Sequence, residues 1–185
     1  AIALLYQDQE NYEEALIYFE KALKLKDDYV ENYVNIALVL MKLGKRTDAI
    51  SFFEKAIKLT PNDNSLLLYC ANAYSSAGEY NKATNLFELV INNNPSSYQA
   101  YICYAISLFE QGKTTESIEM YKKAISLNPN ISNSYLLLGN LYCSEKKYDL
   151  SIDYYNKVIQ LEPTNAEAYT LLGNTYVMMK DLRSA

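Results

Sequence analysis

Residues 132–165, SNSYLLLGNLYCSEKKYDLSIDYYNKVIQLEPTN, decide the fold. With Ser132 as position 1, large side chains stand at positions 4, 7 and 11 (Tyr135, Leu138, Tyr142), and a glycine, Gly139, stands at 8. The spacing i, i+3, i+4, i+7 is one stripe of an α-helix. Further on come Ser151 at 20, Tyr155 at 24, Val158 and Ile159 at 27 and 28, and Pro163 at 32. That is a second helical stripe, closed by a residue that cannot continue a helix. The segment therefore reads as a helix A, a turn, a helix B and a stop.

The same pattern recurs along the whole chain. All four prolines, Pro61, Pro95, Pro129 and Pro163, are 34 residues apart. Gly44, Gly78 and Gly112 share position 15, and Gly139 and Gly173 share position 8. A period of this length marks a stacked repeat array, in which one unit cannot bury enough apolar surface to fold alone. The full repeats are 30–63, 64–97, 98–131 and 132–165. Residues 1–29 make up most of a preceding unit and 166–185 begin a following one, so 1–185 is expected to be one continuous array. Neither end carries the polar cap that closes a natural array, so a piece of a longer protein is expected.

The slots are filled consistently. Position 4 reads Tyr33, Leu67, Tyr101, Tyr135, Tyr169, and position 7 reads Ile36, Cys70, Tyr104, Leu138, Leu172. Position 8 is always alanine or glycine, and position 11 reads Tyr6, Leu40, Tyr74, Leu108, Tyr142, Tyr176. Position 20 is small: Ala15, Ala49, Ala83, Ser117, Ser151, Ala185. Position 24 is aromatic throughout: Phe19, Phe53, Phe87, Tyr121, Tyr155. Small residues at 8 and 20 allow the two helices to approach closely, while glycine at 15 supplies the turn. Asn64, Ser97 and Thr164 are candidate caps for the helices that follow the proline.

This combination of slots resembles the tetratricopeptide repeat family along the whole chain. The resemblance implies an all-α, right-handed α-solenoid superhelix of stacked antiparallel helix pairs. The departures are local. Asp27 stands where proline is expected, Arg46 and Thr114 replace the aromatic at position 17, and Asn93 replaces the apolar residue at position 30. Glu10, Lys146 and Lys180 occupy the glycine turn slot. A pentatricopeptide unit would have a period of 35 and a basic RNA-binding face; neither fits this chain.

Composition narrows the function. Half the residues are apolar and the net charge is −5, which opposes a nucleic-acid partner. No apolar run approaches the ~20 residues needed to span a bilayer, and no secretory signal is visible, so an intracellular, cytoplasmic or nuclear address is expected. The triplet Asn130-Ile131-Ser132 is a weak glycosylation match. The chain has no histidine, the commonest general base and zinc ligand. Every glycine is used by the repeat register, and the carboxylates scatter over solvated helix faces, as in the Glu54–Lys58 pair. Cys70 occupies a core slot, a Cys70–Cys103 disulfide is disfavoured by the spacing of helix axes, and Cys143 faces the candidate groove. No catalytic residue, metal ligand or cofactor is expected, and the chain reads as a non-enzyme.

Binding should fall on the second stripe of helix A, at positions 2, 5, 9 and 12. The resemblance implies that this face lines a concave inner surface where ligands sit. The candidate partner-binding residues are Val34, Leu38 and Met41; Leu68 and Asn72; Ile102, Ile106 and Phe109; Leu136 and Asn140; and Thr170 and Asn174. Apolar side chains would anchor a partner peptide or helix, and asparagine amides could bond its backbone. Covering of positions 5 and 9 by the neighbouring repeat is the competing reading. Family members that grip acidic chaperone tails use cations on this face, whereas here Lys42 stands against Glu31, Glu110 and Glu167. An adaptor or scaffold within a larger protein complex is therefore the expected function. The alternative is a substrate-recruiting arm of an enzyme, such as a protein glycosyltransferase, whose catalytic domain lies outside this chain. An asparagine ladder through Asn35, Asn72, Asn140 and Asn174, interrupted by Ile106, points towards that alternative.

Overall fold

The computed structural model describes residues 2–26 and 28–184, with side-chain surroundings up to Lys180. The expectations at Ala1, Asp27 and Ala185 lie outside the described residues. Those residues form helices and no strand. They divide into two compact units, Ala1–Pro95 and Ser96–Ala185. Each unit is an α-solenoid of helix pairs.

In the first unit, α1 (Ile2–Asp8) packs on α2 (Tyr12–Leu25), α3 (Val30–Lys42) on α4 (Arg46–Leu59), and α5 (Asn64–Ser76) on α6 (Tyr80–Asn93). The second unit pairs α7 (Tyr98–Glu110) with α8 (Thr114–Leu127), and α9 (Ser132–Ser144) with α10 (Tyr148–Leu161); α11 (Ala166–Ser184) then packs on α10. In every full repeat helix A occupies positions 1–13 and helix B positions 17–30, so the turns fall where the sequence places them.

Those turns need a left-handed residue at position 15. Gly44, Gly78 and Gly112 adopt φ of 73°, 79° and 76° there. Glu10 and Lys146 hold the same slot at φ 59° and 60°, so the turn survives without glycine. At Lys180 it does not form, and α11 continues as a single helix to Ser184. The residue before each proline leaves the helical region, as at Thr60 (φ −135°, ψ 74°) and Glu162 (φ −133°, ψ 81°), because the proline ring excludes helical geometry behind it.

The caps lie partly elsewhere than expected. Ser97 does cap, accepting from the Ala100 N–H at 3.4 Å. In place of Asn64, Asp63 accepts from the Ser65 and Leu66 N–H groups at 2.9 and 3.1 Å; in place of Thr164, Asn165 accepts from Ala168 at 2.9 Å. Only the residue just outside the helix, with extended backbone, can aim its side chain at the second and third N–H groups.

The core lies between helices A and B. Ala15, Ala49, Ala83, Ser117 and Ser151 are fully buried at position 20, and the position 24 aromatics Phe19, Phe53, Phe87, Tyr121 and Tyr155 are all buried. Burial of one such ring is worth about 1.5–3 kcal/mol. Two further stripes of helix A are buried that the sequence reading did not include. Position 3 holds Asn32, Leu66, Ala100, Ser134 and Ala168, and position 10 holds Val39, Ala73, Ser107, Leu141 and Thr175. Helix A is thus enclosed on more sides than its large-residue stripe suggests.

Candidate interaction face

Positions 5, 9 and 12 point away from positions 3 and 10 of their own helix, so the next repeat decides how much of each side chain remains open. Val34, Leu38 and Met41 on α3, Leu68 and Asn72 on α5, and Ile102 on α7 are half-buried. Asn72 is also engaged within the fold. Ile106 and Phe109 on α7 are 40% and 49% exposed, and Thr170 and Asn174 on α11 are exposed.

Two candidates do not present themselves as the sequence suggested. Leu136 is buried in a cluster with Tyr155, Val158 and Ala168, because the next helix A lays its small position 3 residue against it. It is a core residue and does not line an open groove. Asn140 is half-buried, and its Oδ1 accepts the Tyr155 hydroxyl proton at 2.6 Å. That carbonyl is committed to holding a core ring. Thr170 satisfies its own hydroxyl by donating to the Ala166 carbonyl at 2.9 Å. Cys143, half-buried, has its Sγ 3.7 Å from Thr175 Oγ1 and 4.0 Å from Met178 Sδ. The neighbouring repeat therefore covers Leu136, at position 5, and also meets Cys143, at position 12. The exposed candidates are Ile106 and Phe109 in the middle of the chain and Thr170 and Asn174 near its end. Glu31 and Lys42 in the first unit, and Glu110 and Glu167 in the second, are exposed.

On the helix B side the structure forms a cleft that the sequence did not signal. It measures about 580 Å³ and is bounded by Glu54, Ile57 and Lys58 of α4, Cys70 and Tyr74 of α5, and Lys82, Asn85 and Leu86 of α6. Tyr74 donates its hydroxyl proton to Glu54. The Lys82 ammonium stands 4.9 Å from the Tyr74 ring centre and 2.7 Å from Glu79. Burial, reinforced by the bond to Glu54, holds the Tyr74 phenol well above its usual range. Burial pushes the Cys70 thiol up to about 12, so it remains a protonated, inert core residue. All three cysteines are free thiols. Among the described residues no group of His, Cys, Asp or Glu could hold a metal ion, and no helix is long and apolar enough to cross a membrane.

A family model described as the TPR domain of cytochrome c-type biogenesis protein H matches residues 30–135. Tetratricopeptide repeat models match residues 1–29, 120–153 and 139–180. No curated protein matches the sequence. Among solved structures, MamA from Desulfovibrio magneticus RS-1 is similar with a TM-score of 0.77 at 22% identity, over 89% of this chain and 93% of that one. Pseudomonas aeruginosa pilF gives 0.78 at 19% identity, over 100% and 84%. YrrB, described as a TPR protein with an unusual peptide-binding site, gives 0.67 at 18% identity, over 91% and 87%. At these identities the likeness speaks for the fold.

Proposed function

The chain belongs to the tetratricopeptide repeat family, and from that premise we propose that it is a non-catalytic scaffold that holds a peptide or helix of a partner on the helix A face, within a larger complex. A protein-interaction scaffold is the coarse reading that the family supports. The groove is our own step. One observation carries it: the core does not use Ile106 and Phe109, two large apolar side chains on one helix face that are 40% and 49% exposed. Exposed apolar residues grouped on one face are a common mark of a protein contact. The peptide-binding site named for YrrB adds weight of the same kind. The 34-residue register passes residues 95 and 96 without an insertion, which supports reading the chain as one array.

The low charge of the face favours an apolar partner segment over an acidic tail. The asparagine ladder of a glycosyltransferase arm receives less support, because Asn140 is turned to Tyr155 and Ile106 breaks the run.

The test compares the parent chain with an Ile106→Asp, Phe109→Asp double variant in quantitative affinity capture from the native source. Specific partners should fall about tenfold or more while helicity is kept, as expected when apolar anchors become charged. Equal recovery of the same partners by both proteins sinks the groove.

A further inference from the structure

Where positions 11 and 23 of one repeat are both tyrosine, their rings stack. Tyr18 lies on Tyr6 at 5.4 Å and 15°, and Tyr154 lies on Tyr142 at 5.4 Å and 14°. In repeat 132–165 the Tyr154 ring, together with Ile125 of the preceding helix B, packs against Leu138 and Tyr142. The groove between the B helices α8 and α10 thus receives a ring from the chain itself. Repeat 64–97 keeps the tyrosine at position 11, Tyr74, but carries Leu86 at position 23. Its position 7 is Cys70, a smaller side chain than the isoleucine, leucine or tyrosine that fill this slot in the other helices. Both changes remove volume from the same place, and that place is the cleft of about 580 Å³ between α4 and α6. The repeats that bound it, 30–63 and 64–97, are both full ones. Cys70 and Tyr74 form its floor, at 0% and 5% exposure.

We propose that this cleft is a binding site for a small aromatic carboxylate, whose ring takes over Tyr74 the place that Tyr154 takes over Tyr142. The ring follows from the slot. Tyr74 stands where Tyr6 and Tyr142 each receive a stacked ring, and stacking there adds to burial against Ile57 and Leu86. The charge follows from the walls, where Lys58 of α4 and Lys82 of α6 line the two sides. Among the described residues Lys58 has no ion-pair partner. Lys82 is paired with Glu79 at 2.7 Å and lies 4.9 Å from the Tyr74 ring centre. That pair is exposed, and exposed ion pairs hold weakly, so the ammonium can turn from the ring to a bound carboxylate. Glu54 is the carboxylate among the lining residues, and it already accepts the Tyr74 hydroxyl proton. The Asn85 amide can donate to the second oxygen of the ligand. An apolar floor with a few polar groups at its edge, in a space of this size, suits a small molecule. The proposal does not rest on the helix A groove, since the cleft lies on the helix B side.

The probe is hydrocinnamate, titrated into the whole chain with isotope-labelled leucine and isoleucine methyl groups and read by nuclear magnetic resonance. The methyl signals of Leu86 and Ile57 should move saturably and together. Hydrocinnamamide, which lacks the charge, should bind about tenfold more weakly, and a Lys58→Gln, Lys82→Gln double variant should lose about as much for the acid. Cyclohexanepropionate, which fills the space without a π face, should bind about threefold more weakly. Leu86→Tyr supplies the ring from within. Its binding of the acid should fall about tenfold or more, because the slot is then filled. Its urea midpoint should hold or rise, since the new ring stacks on Tyr74. Loss of binding without loss of stability separates an occupied site from a folding defect; should that variant lose helicity, the lysine variant decides. Absence of a saturable shift, equal binding of acid and amide, or equal binding by Leu86→Tyr and the parent overturns the proposal. So does binding of a capped Asp-Asp-Phe-Asp peptide in this cleft without binding of the free acid, for then a protein segment is the occupant.

Discussion

The two units fill one set of core slots with two chemistries. In residues 1–95 position 24 is Phe19, Phe53 and Phe87, and position 20 is Ala15, Ala49 and Ala83. In residues 96–185 the same slots hold Tyr121 and Tyr155 with Ser117 and Ser151. Helix bounds are the same in both, so the backbone tolerates either filling. The difference lies in what each filling demands. The Phe/Ala core needs volume and nothing else. The Tyr/Ser core must also place buried hydroxyls, and an unplaced hydroxyl costs about 1–3 kcal/mol. Ser117 solves this by donating to the Ala105 carbonyl at 2.7 Å, and Tyr155 by donating to Asn140 at 2.6 Å.

The second solution explains a glycine. Ala37, Ala71 and Ala105 sit at position 8 opposite Phe53, Phe87 and Tyr121. Only where the ring reaches position 9, at Asn140, does position 8 become a glycine that the ring overlies. Gly139 is therefore conformationally unremarkable and sterically required, whereas the three glycines at position 15 are required for their positive φ and face open space.

The largest expected effect is loss of ring volume. Phe53→Ala should cost about 3–5 kcal/mol, a cavity left in a slot that is 1% exposed. Hydrogen exchange should show the loss in α3 and α4 first, with the second unit keeping more of its protection. Equal loss of protection in both units would mean that the chemistry of the two cores is not separable.

Next comes Gly139→Ala, expected to cost about 1–3 kcal/mol through overpacking against Tyr155. Tyr155→Phe should cost about 0.5–1.5 kcal/mol for the lost hydrogen bond. Together they should cost less than their sum, because a ring released from Asn140 can move away from the new methyl group. A double-mutant cycle in urea measures that coupling. Strict additivity would show that the tether to Asn140 does not set the position of the ring.

Much of this was legible in the sequence. The period, the helix pairs and the stripes at 4, 7, 8, 11, 20, 24 and 27 follow from the recurrence of Pro61, Pro95, Pro129 and Pro163 and the residues between them. The binding face was harder to read. Positions 3 and 10 hold residues as different as Leu66, Ser134, Val39 and Thr175. No single residue type marks them as buried, so the coverage of Leu136 was hidden. The role of Asn140 was hidden for a related reason. Its partner, Tyr155, is 15 residues away, and that pairing exists only once helix B has folded back on helix A.

Position 11 shows a further contrast, between Tyr74 and Tyr142. Each meets position 25 of the preceding repeat, which is Glu54 in one unit and Lys122 in the other. Glu54 accepts the Tyr74 hydroxyl proton, whereas the Lys122 ammonium stands 5.8 Å from the Tyr142 ring centre and is raised by its bond to that phenol. Burial raises Tyr74, Tyr121, Tyr154 and Tyr155. A phenol raised in the folded state contributes stability that is complete below the unfolded value of about 10. That stability is lost as pH climbs through the folded value. Ultraviolet titration of the 19 tyrosines should therefore show a late class that ionises together with unfolding, and Tyr74→Phe should shrink it. Smooth ionisation of all tyrosines in the folded chain would contradict this.

The smallest effect should be a gain. Glu10 and Lys146 hold φ near 60° in a slot that Gly44, Gly78 and Gly112 fill elsewhere. A side chain with a Cβ is crowded by its own carbonyl in that region, at a cost of about 1–2 kcal/mol. Replacement by glycine removes the crowding but loosens the unfolded chain, which returns part of the gain. Lys146→Gly should thus stabilise by less than about 1 kcal/mol on the balance of those two terms. Lys147 bonds Glu145 at 2.8 Å across the same turn, between neighbours whose backbone the change leaves in place, so the ion pair should not shift the balance. Gly112→Ala, in the matching turn of the same unit, should move stability the opposite way by about 1 kcal/mol or more. If both changes destabilise, the Lys146 turn is held by contacts other than its backbone conformation, and position 15 is not one slot but several.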